Sequence, residues 1–203
     1  MTKEPVKDHL GDATHTASNW NIANALTFIR LLLVPVFVWV ALSAFDTSNS
    51  TGRVLAAAIF MVAALTDLVD GEIARRRHLV TNVGKVIDPI ADKALTGAAL
   101  LVLSAFDELS WWVTAVIIVR EVVVTAFRFW VIEHGVIPAS RGGKLKTVLQ
   151  IGAITLYLLP LPEGLAPLSV GLMAFAVVVT VVTGIDYVVR ALRLRRTALR
   201  VVS

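Results

Sequence analysis

Four aspartates, Asp67, Asp70, Asp88 and Asp92, stand in the stretch DLVDGEIARRRHLVTNVGKVIDPIAD, residues 67–92. Asp67 and Asp70 are spaced i,i+3, and Asp88 and Asp92 i,i+4. Either spacing puts both carboxylates on one face of a helix. Two such faces brought together would set four carboxylates at one level, where they would repel one another and hold protons. Hard divalent cations remove that repulsion, and all-oxygen ligands suit Mg2+ or Mn2+ rather than Zn2+. Two ions about 3.5–4 Å apart can clamp the attacking and leaving oxygens of a phosphoryl displacement. Gly71 and Ala74 beside the acids are small enough to let a bulky ligand or a neighbouring helix come close, and Arg75 offers a planar cation for a phosphate.

A lone intramembrane aspartate is often held by a neighbouring Lys or Arg. Lys93 follows Asp92 directly, but adjacent residues on a helix do not face each other. Two coherent pairs of acids fit a site better than helix glue. Arg76, Arg77 and His78 read instead as topology and headgroup charges.

The elements that must position the acids are apolar. Hydrophobic residues make up 57% of the 203-residue chain and charged ones 17%, against about 45–50% and about 25% in soluble domains. Mean hydropathy is +0.77. There is no cysteine, hence no disulfide frame or thiolate metal site. Apolar runs predict six helices: Ala25–Phe45, one beginning at Val54, one ending at Phe106, Trp111–Val131, Val148–Leu161 and Leu165–Val189. The stretches DTSNSTG (residues 46–52), residues 107–110 and PEG (residues 162–164) read as turns.

Lys and Arg crowd before the first helix, between the second and third, between the fourth and fifth, and after the sixth. The other three loops hold Arg53 alone. That asymmetry predicts cytoplasmic termini and two basic cytoplasmic loops. The apolar runs of helices 2, 3 and 5 are too short to span by themselves, and each is completed by polar residues at its cytoplasmic end. Backbone in hydrocarbon must stay helical. The expected fold is therefore all-α: a polytopic membrane protein with six transmembrane helices around a polar cavity open to the cytoplasm. Residues 1–20 form a polar segment, interfacial with Trp20 as its anchor, and 21–203 the transmembrane domain. The N-terminal stretch does not resemble a signal peptide.

Written out, residues 67–92 read D-x-x-D-G-x-x-A-R-x8-G-x3-D-x3-D, which resembles the signature of the CDP-alcohol phosphotransferase family at all eight fixed positions. Beyond it, NIANALTFIR (Asn21–Arg30), R-E-x6-R (Arg120–Arg128) and GKLKT (Gly143–Thr147) resemble segments of the bacterial phosphatidylglycerophosphate synthases within that family. The resemblance implies six spans, two metal ions (Mg2+ or Mn2+), and transfer of a phosphatidyl group from CDP-diacylglycerol to an alcohol with release of CMP. By position it implies Asp67, Asp70, Asp88 and Asp92 as metal ligands, with Asp92 also the general base. It lines the donor site with Gly71, Ala74 and Arg75, completed by Asn24 and Thr27. Dimers are common in the family, so a homodimer in the inner (plasma) membrane is expected, with lipid around it and no nucleic-acid partner.

The signature does not select the acceptor. Arg30, Arg120, Arg128, Lys144 and Lys146 form a basic set suited to a phosphorylated alcohol, which points to glycerol 3-phosphate, with inositol phosphate as the alternative. Lys144 and Lys146 also satisfy the positive-inside rule, and Arg128 is spaced i,i+7 from Glu121 as an ion pair would be. Two other classes remain open: a divalent-cation transporter with an acid-lined path, and a structural membrane protein whose acids join helices.

Overall fold

A computed structural model describes the backbone of residues 22–76, 82–131 and 141–202, and the side chains of 28–66, 93–127 and 143–193. Among the described residues there are six α-helices and no strand: α1 Ile22–Asp46, α2 Ser50–Arg76, α3 Asn82–Ala105, α4 Trp111–Val131, α5 Arg141–Leu158 and α6 Ala166–Val202, with a short 3-10 turn at Glu163–Leu165. Two helical stretches are long and apolar enough to cross a bilayer, Phe28–Asp46 and Glu163–Arg193, with hydropathies of 2.3 and 2.4. Large apolar groups face outward: Trp39 is 71% exposed and Trp112 81%, and Leu32, Leu55, Val119 and Val182 are exposed with them. Such a surface is stable against lipid rather than water. The described residues are all-helical, with an apolar surface and two helices suited to a membrane.

The core is built largely from alanine. Ala41, Ala56, Ala57, Ala63, Ala99, Ala153 and Ala176 are buried around Phe37, Phe60, Leu100, Ile117, Ile154 and Met173. Small side chains bring helix backbones close, and close packing is what holds helices together where hydrocarbon surrounds them. α1 packs on α2 and α3, and α6 on α4 and α5. Phe37 of α1 meets Phe60 of α2, ring centroids 5.8 Å apart.

One end of the bundle is tied by a single residue. Arg53, in the first turn of α2, donates from Nη1 to Glu108 in the α3–α4 turn at 2.8 Å. Its Nε donates to the Leu158 carbonyl at 3.2 Å and its Nη2 to the Tyr157 carbonyl at 2.9 Å, at the end of α5. Its guanidinium lies 4.3 Å from the Phe45 ring centroid at the end of α1, and Phe45 stacks on Phe106. These carbonyls belong to the last turn of a helix, where no intrahelical donor is available. The lone Arg of the three loops poor in Lys and Arg thus serves the fold. Its contacts also bring the start of α2 to the ends of α3 and α5, so α2 runs antiparallel to both.

The turns here are tighter than expected. Asn49 caps α2 by accepting from the Gly52 N–H at 3.2 Å, so Ser50, Thr51 and Gly52 become its first turn and DTSNSTG shrinks to Thr47–Asn49. A Cβ on Gly52 would lie 2.8 Å from the Ala44 Cβ, so glycine is required for this approach of α1 and α2. Two other boundaries differ from expectation. α5 begins at Arg141, so polar residues that include Lys144 and Lys146 complete its apolar run as expected, but it ends at Leu158 instead of Leu161, ahead of Pro160 and Pro162, which cannot continue a helix. α6 runs through its basic end to Val202 instead of stopping at Val189, because Arg and Leu are good helix formers and no Gly or Pro follows Gly184.

Arg53→Ala should lower the unfolding free energy by about 2–3 kcal/mol, the range for charge-assisted hydrogen bonds lost from partly buried carbonyls. Thermal melting in detergent measures this, with Arg53→Lys recovering only part, since one ammonium cannot reach Glu108 and the α5 carbonyls together.

Candidate active site

The four aspartates fall on two neighbouring helices at similar depth. At about 1.5 Å per residue, Asp67 and Asp70 lie roughly 26 and 30 Å along α2 from its Arg53 end. Asp88 and Asp92 lie roughly 26 and 20 Å from the matching end of α3. Those ends meet through Arg53 and Glu108. The four residues therefore occupy one band of the bundle about 10 Å deep. Asn24 and Thr27 on α1 and Arg128 on α4 fall at or near this depth, while Gly71, Ala74 and Arg75 continue α2 beyond it. The side chains of all ten of these residues, and the whole of residues 1–20, lie outside the described residues.

What the structure does describe is the level just inside this band, and a carboxylate organises it. Glu121 of α4 accepts from Lys93 of α3, Nζ to Oε2, at 3.0 Å. It accepts from Arg120 Nη1 at Oε1, also at 3.0 Å. It accepts at the same oxygen from Lys146 Nζ of α5. Arg120 reaches its sequence neighbour because its side chain is long, and two more of its donors go to α6. Its Nε donates to the Thr180 carbonyl at 3.0 Å and its Nη2 to Thr183 Oγ1 at 3.0 Å. Gly184 makes room for it: a Cβ there would sit 3.0 Å from Arg120 Cγ and Nε. Helices α3, α4, α5 and α6 thus converge on one ionic node. Lys146 is buried and Glu121 partly so. In a medium where unpaired charge is expensive, the arrangement matches each cation to an acid or a carbonyl.

Of the residues expected to bind an acceptor, Arg120 and Lys146 meet at Glu121, and Arg30 sits between α1 and α2. Arg30 is 1% exposed between α1 and α2, and its Nε donates to the Ala63 carbonyl at 3.3 Å. That carbonyl ends the helical turn leading into Asp67, so Arg30 braces α2 next to the first acid. Arg120 and Lys146 sit on Glu121 as described. Lys144, two residues before Lys146 on α5, is exposed. Glu121 and Lys93 were not among the residues expected at a site. The available signal was a glutamate in the middle of an apolar helix, which is itself a reason to look for partners.

Gly184→Ala should force Arg120 away from Thr180 and Thr183. The expected cost is about 1–2 kcal/mol, the range for overpacking a well-filled contact. It is read as a lower melting temperature in detergent. Thr183→Val, which removes one acceptor and leaves the space unchanged, should cost less.

A family profile described as CDP-alcohol phosphatidyltransferase matches residues 20–182. That region takes in α1 to α5 and α6 just past Thr180, hence the acids and the Glu121 node alike. The chain is 50% identical over 182 residues to a probable phosphatidylglycerophosphate synthase of Mycobacterium tuberculosis (strain ATCC 25618 / H37Rv), covering 88% of this chain and 87% of that protein. It is 37% identical over 180 residues to a CDP-diacylglycerol–glycerol-3-phosphate 3-phosphatidyltransferase of Bacillus subtilis, covering 83% and 93%. A protein of the same name from Escherichia coli K12 is 39% identical over 141 residues, covering 66% and 75%. Matches that run through both the acidic band and the ionic node make this chain a member of the CDP-alcohol phosphatidyltransferase family.

Proposed function

We propose that the protein transfers the phosphatidyl group of CDP-diacylglycerol to glycerol 3-phosphate, giving phosphatidylglycerophosphate and CMP. The observation that carries this reading is the family signature, complete from Asp67 to Asp92 on α2 and α3, in a chain whose relatives bear that activity in their names. The chemistry follows from the residues. An oxygen of the acceptor's hydroxyl forms a bond to the lipid-side phosphorus. The bond from that phosphorus to the bridging oxygen breaks, and CMP departs with that oxygen. The hydroxyl proton goes to Asp92, which stands nearest the Glu121 level of the four acids along the helix axes.

Asp67, Asp70, Asp88 and Asp92 supply only oxygen ligands within one band of depth, a donor set that fits two Mg2+ or Mn2+ ions. Bound there, such ions would neutralise the diphosphate and the charge that develops on the departing oxygen. Gly71 and Ala74 leave space on α2 for the nucleotide and Arg75 meets its phosphate, with Asn24 and Thr27 of α1 facing the same donor. On the acceptor side, Lys144, Lys146 and Arg128 hold the phosphate, with Arg120 behind them. In this reading both termini and the acids lie on the cytoplasmic side of the plasma membrane, which the excess of Lys and Arg near them supports. Six spans and a polar cavity opening to that side complete the reading, with a homodimer as the assembly.

Purified protein given CDP-diacylglycerol and a panel of acceptors should release CMP fastest with glycerol 3-phosphate. Faster release with inositol phosphate or an uncharged alcohol would overturn the acceptor assignment. Asp67→Asn, Asp70→Asn and Asp88→Asn should each abolish turnover while the protein still inserts, since loss of one ligand disorders a shared site. Asp92→Asn should lose turnover by far more than it loses donor affinity, as expected of a base that acts in the transition state. Donor binding that collapses together with turnover would make Asp92 chiefly a ligand.

Lys144→Ala and Arg128→Ala should each lower kcat/KM for glycerol 3-phosphate roughly ten- to a hundredfold, the effect of losing a charge-assisted contact. The KM for CDP-diacylglycerol should hold. Unchanged acceptor kinetics in both variants would remove these residues from the site.

A further inference from the structure

Lys146 and Arg120 serve the acceptor in the proposed transfer, whereas Glu121, which both meet, and Lys93 do not, and the geometry of the node supplies a role for each. Lys146 is a candidate ligand for the acceptor's phosphate, yet it is a flexible cation on a four-carbon stem. Such a side chain loses much rotamer freedom when a ligand fixes it. In this structure the ammonium is already fixed: it is buried and bonded to Glu121 Oε1. Glu121 is in turn fixed by Arg120, which also donates to the Thr180 carbonyl and Thr183 Oγ1 of α6. On the other side Glu121 Oε2 takes Lys93, the residue that follows Asp92 on α3. One carboxylate therefore links the acceptor side of the bundle to the helix that carries the proposed base.

A carboxylate this close to an anionic ligand would weaken binding if it faced the ligand. It can help only from behind the cations, by holding them. An ammonium has three N–H donors, so a bond to Glu121 is compatible with one to a phosphate oxygen. Resting on the acceptor reading above, we propose that Glu121 is a positioning residue: hung from α6 through Arg120, its carboxylate fixes the ammonium groups of Lys146 and Lys93 for the phosphate of the acceptor. Lys93 thereby joins the residues that set the affinity for a phosphorylated alcohol. Preorganisation of this kind appears as acceptor affinity, because ordering that is complete beforehand need not be supplied by the ligand.

The test is steady-state kinetics of the full-length protein in nanodiscs, varying glycerol 3-phosphate and CDP-diacylglycerol separately. Glu121→Gln should raise the KM for glycerol 3-phosphate about tenfold or more and leave the KM for CDP-diacylglycerol within about twofold. Glu121→Asp, which keeps the charge on a shorter stem, should recover part of the loss. In a double-mutant cycle, Glu121→Gln should cost clearly less once Lys146 is already Gln, no more than the Lys93→Gln shift, because what remains of its effect runs through Lys93. Lys93→Gln, which leaves Glu121 in place, should give a smaller shift in the same parameter and serves where Glu121→Gln inserts poorly.

A fall in kcat with both KM values unchanged would show Glu121 to be structural only and overturn the proposal. So would full additivity with Lys146→Gln, or an equal loss of affinity for donor and acceptor. Wild-type protein that makes no product from glycerol 3-phosphate would overturn the functional reading itself, and this inference with it. A working wild type with unselective Glu121 variants overturns the inference alone.

Discussion

An ionised side chain in an apolar bundle must find a partner or lose its charge, since removing one ion from water costs several kcal/mol even after the protein relaxes. The interior of this protein is arranged around that constraint. Among the described residues, Glu121 is the carboxylate at mid-depth, and it accepts from a cation on α3, one on α4 and one on α5. Arg30 at a comparable depth reaches the Ala63 carbonyl. Arg120 divides its donors between a carboxylate, a carbonyl and a hydroxyl. The polar groups that bind helices here are the same ones that place charge beside the acidic band. Stability and site geometry therefore share residues.

The two ends of the bundle have separate tasks. At one end Arg53 gathers the start of α2, the α3–α4 turn and the end of α5, with Phe45 and Phe106 stacked beneath it. This end is tied by tight turns, a caesura of only Thr47–Asn49 between α1 and α2 and a left-handed residue at Asp107 in the next. An alanine-lined core carries that order inward, because helices that touch through small side chains have little freedom to shift against one another. The acids lie on the far half of α2 and α3, beyond the Glu121 level. Rigidity at the outer end thus fixes the register of the helices on which the acids are carried.

The fold was largely legible in the sequence, and its misses share a cause. Apolar runs located all six helices, and Trp111–Val131 was found to the residue. Hydropathy loses α2, α3 and α5 where charges begin, although the helices continue. The apolar run of α5 begins seven residues after the helix does, because Arg141, Lys144 and Lys146 carry its first turns. The backbone keeps its hydrogen bonds through such residues and only the side chains turn polar. The acids announced themselves through i,i+3 and i,i+4 spacing, which is a local signal. The Glu121 node did not, since Lys93 and Lys146 lie 28 and 25 residues away along the chain. No periodicity encodes that meeting. It follows from the packing of α4 against α6, where Gly184 admits Arg120, and from the shared depth of Lys93 and Lys146.

Seen as two halves, α1 packs with α2 and α3, and α6 with α4 and α5. The signature acids all stand in the first half. Of the cations assigned to the acceptor, Arg120, Arg128, Lys144 and Lys146 stand in the second, while Arg30, which braces α2, and Lys93 stand in the first. Under the proposed function, the first half performs the displacement and the second selects what is phosphatidylated. Such a division lets the acceptor side vary without disturbing the acids, provided the two halves stay in register. The Lys93–Glu121 bond crosses between them one residue from Asp92. Arg53 ties the same halves at the opposite end, so losing the Lys93–Glu121 bond would leave the bundle assembled while loosening the common depth at which the base and the acceptor's hydroxyl are held.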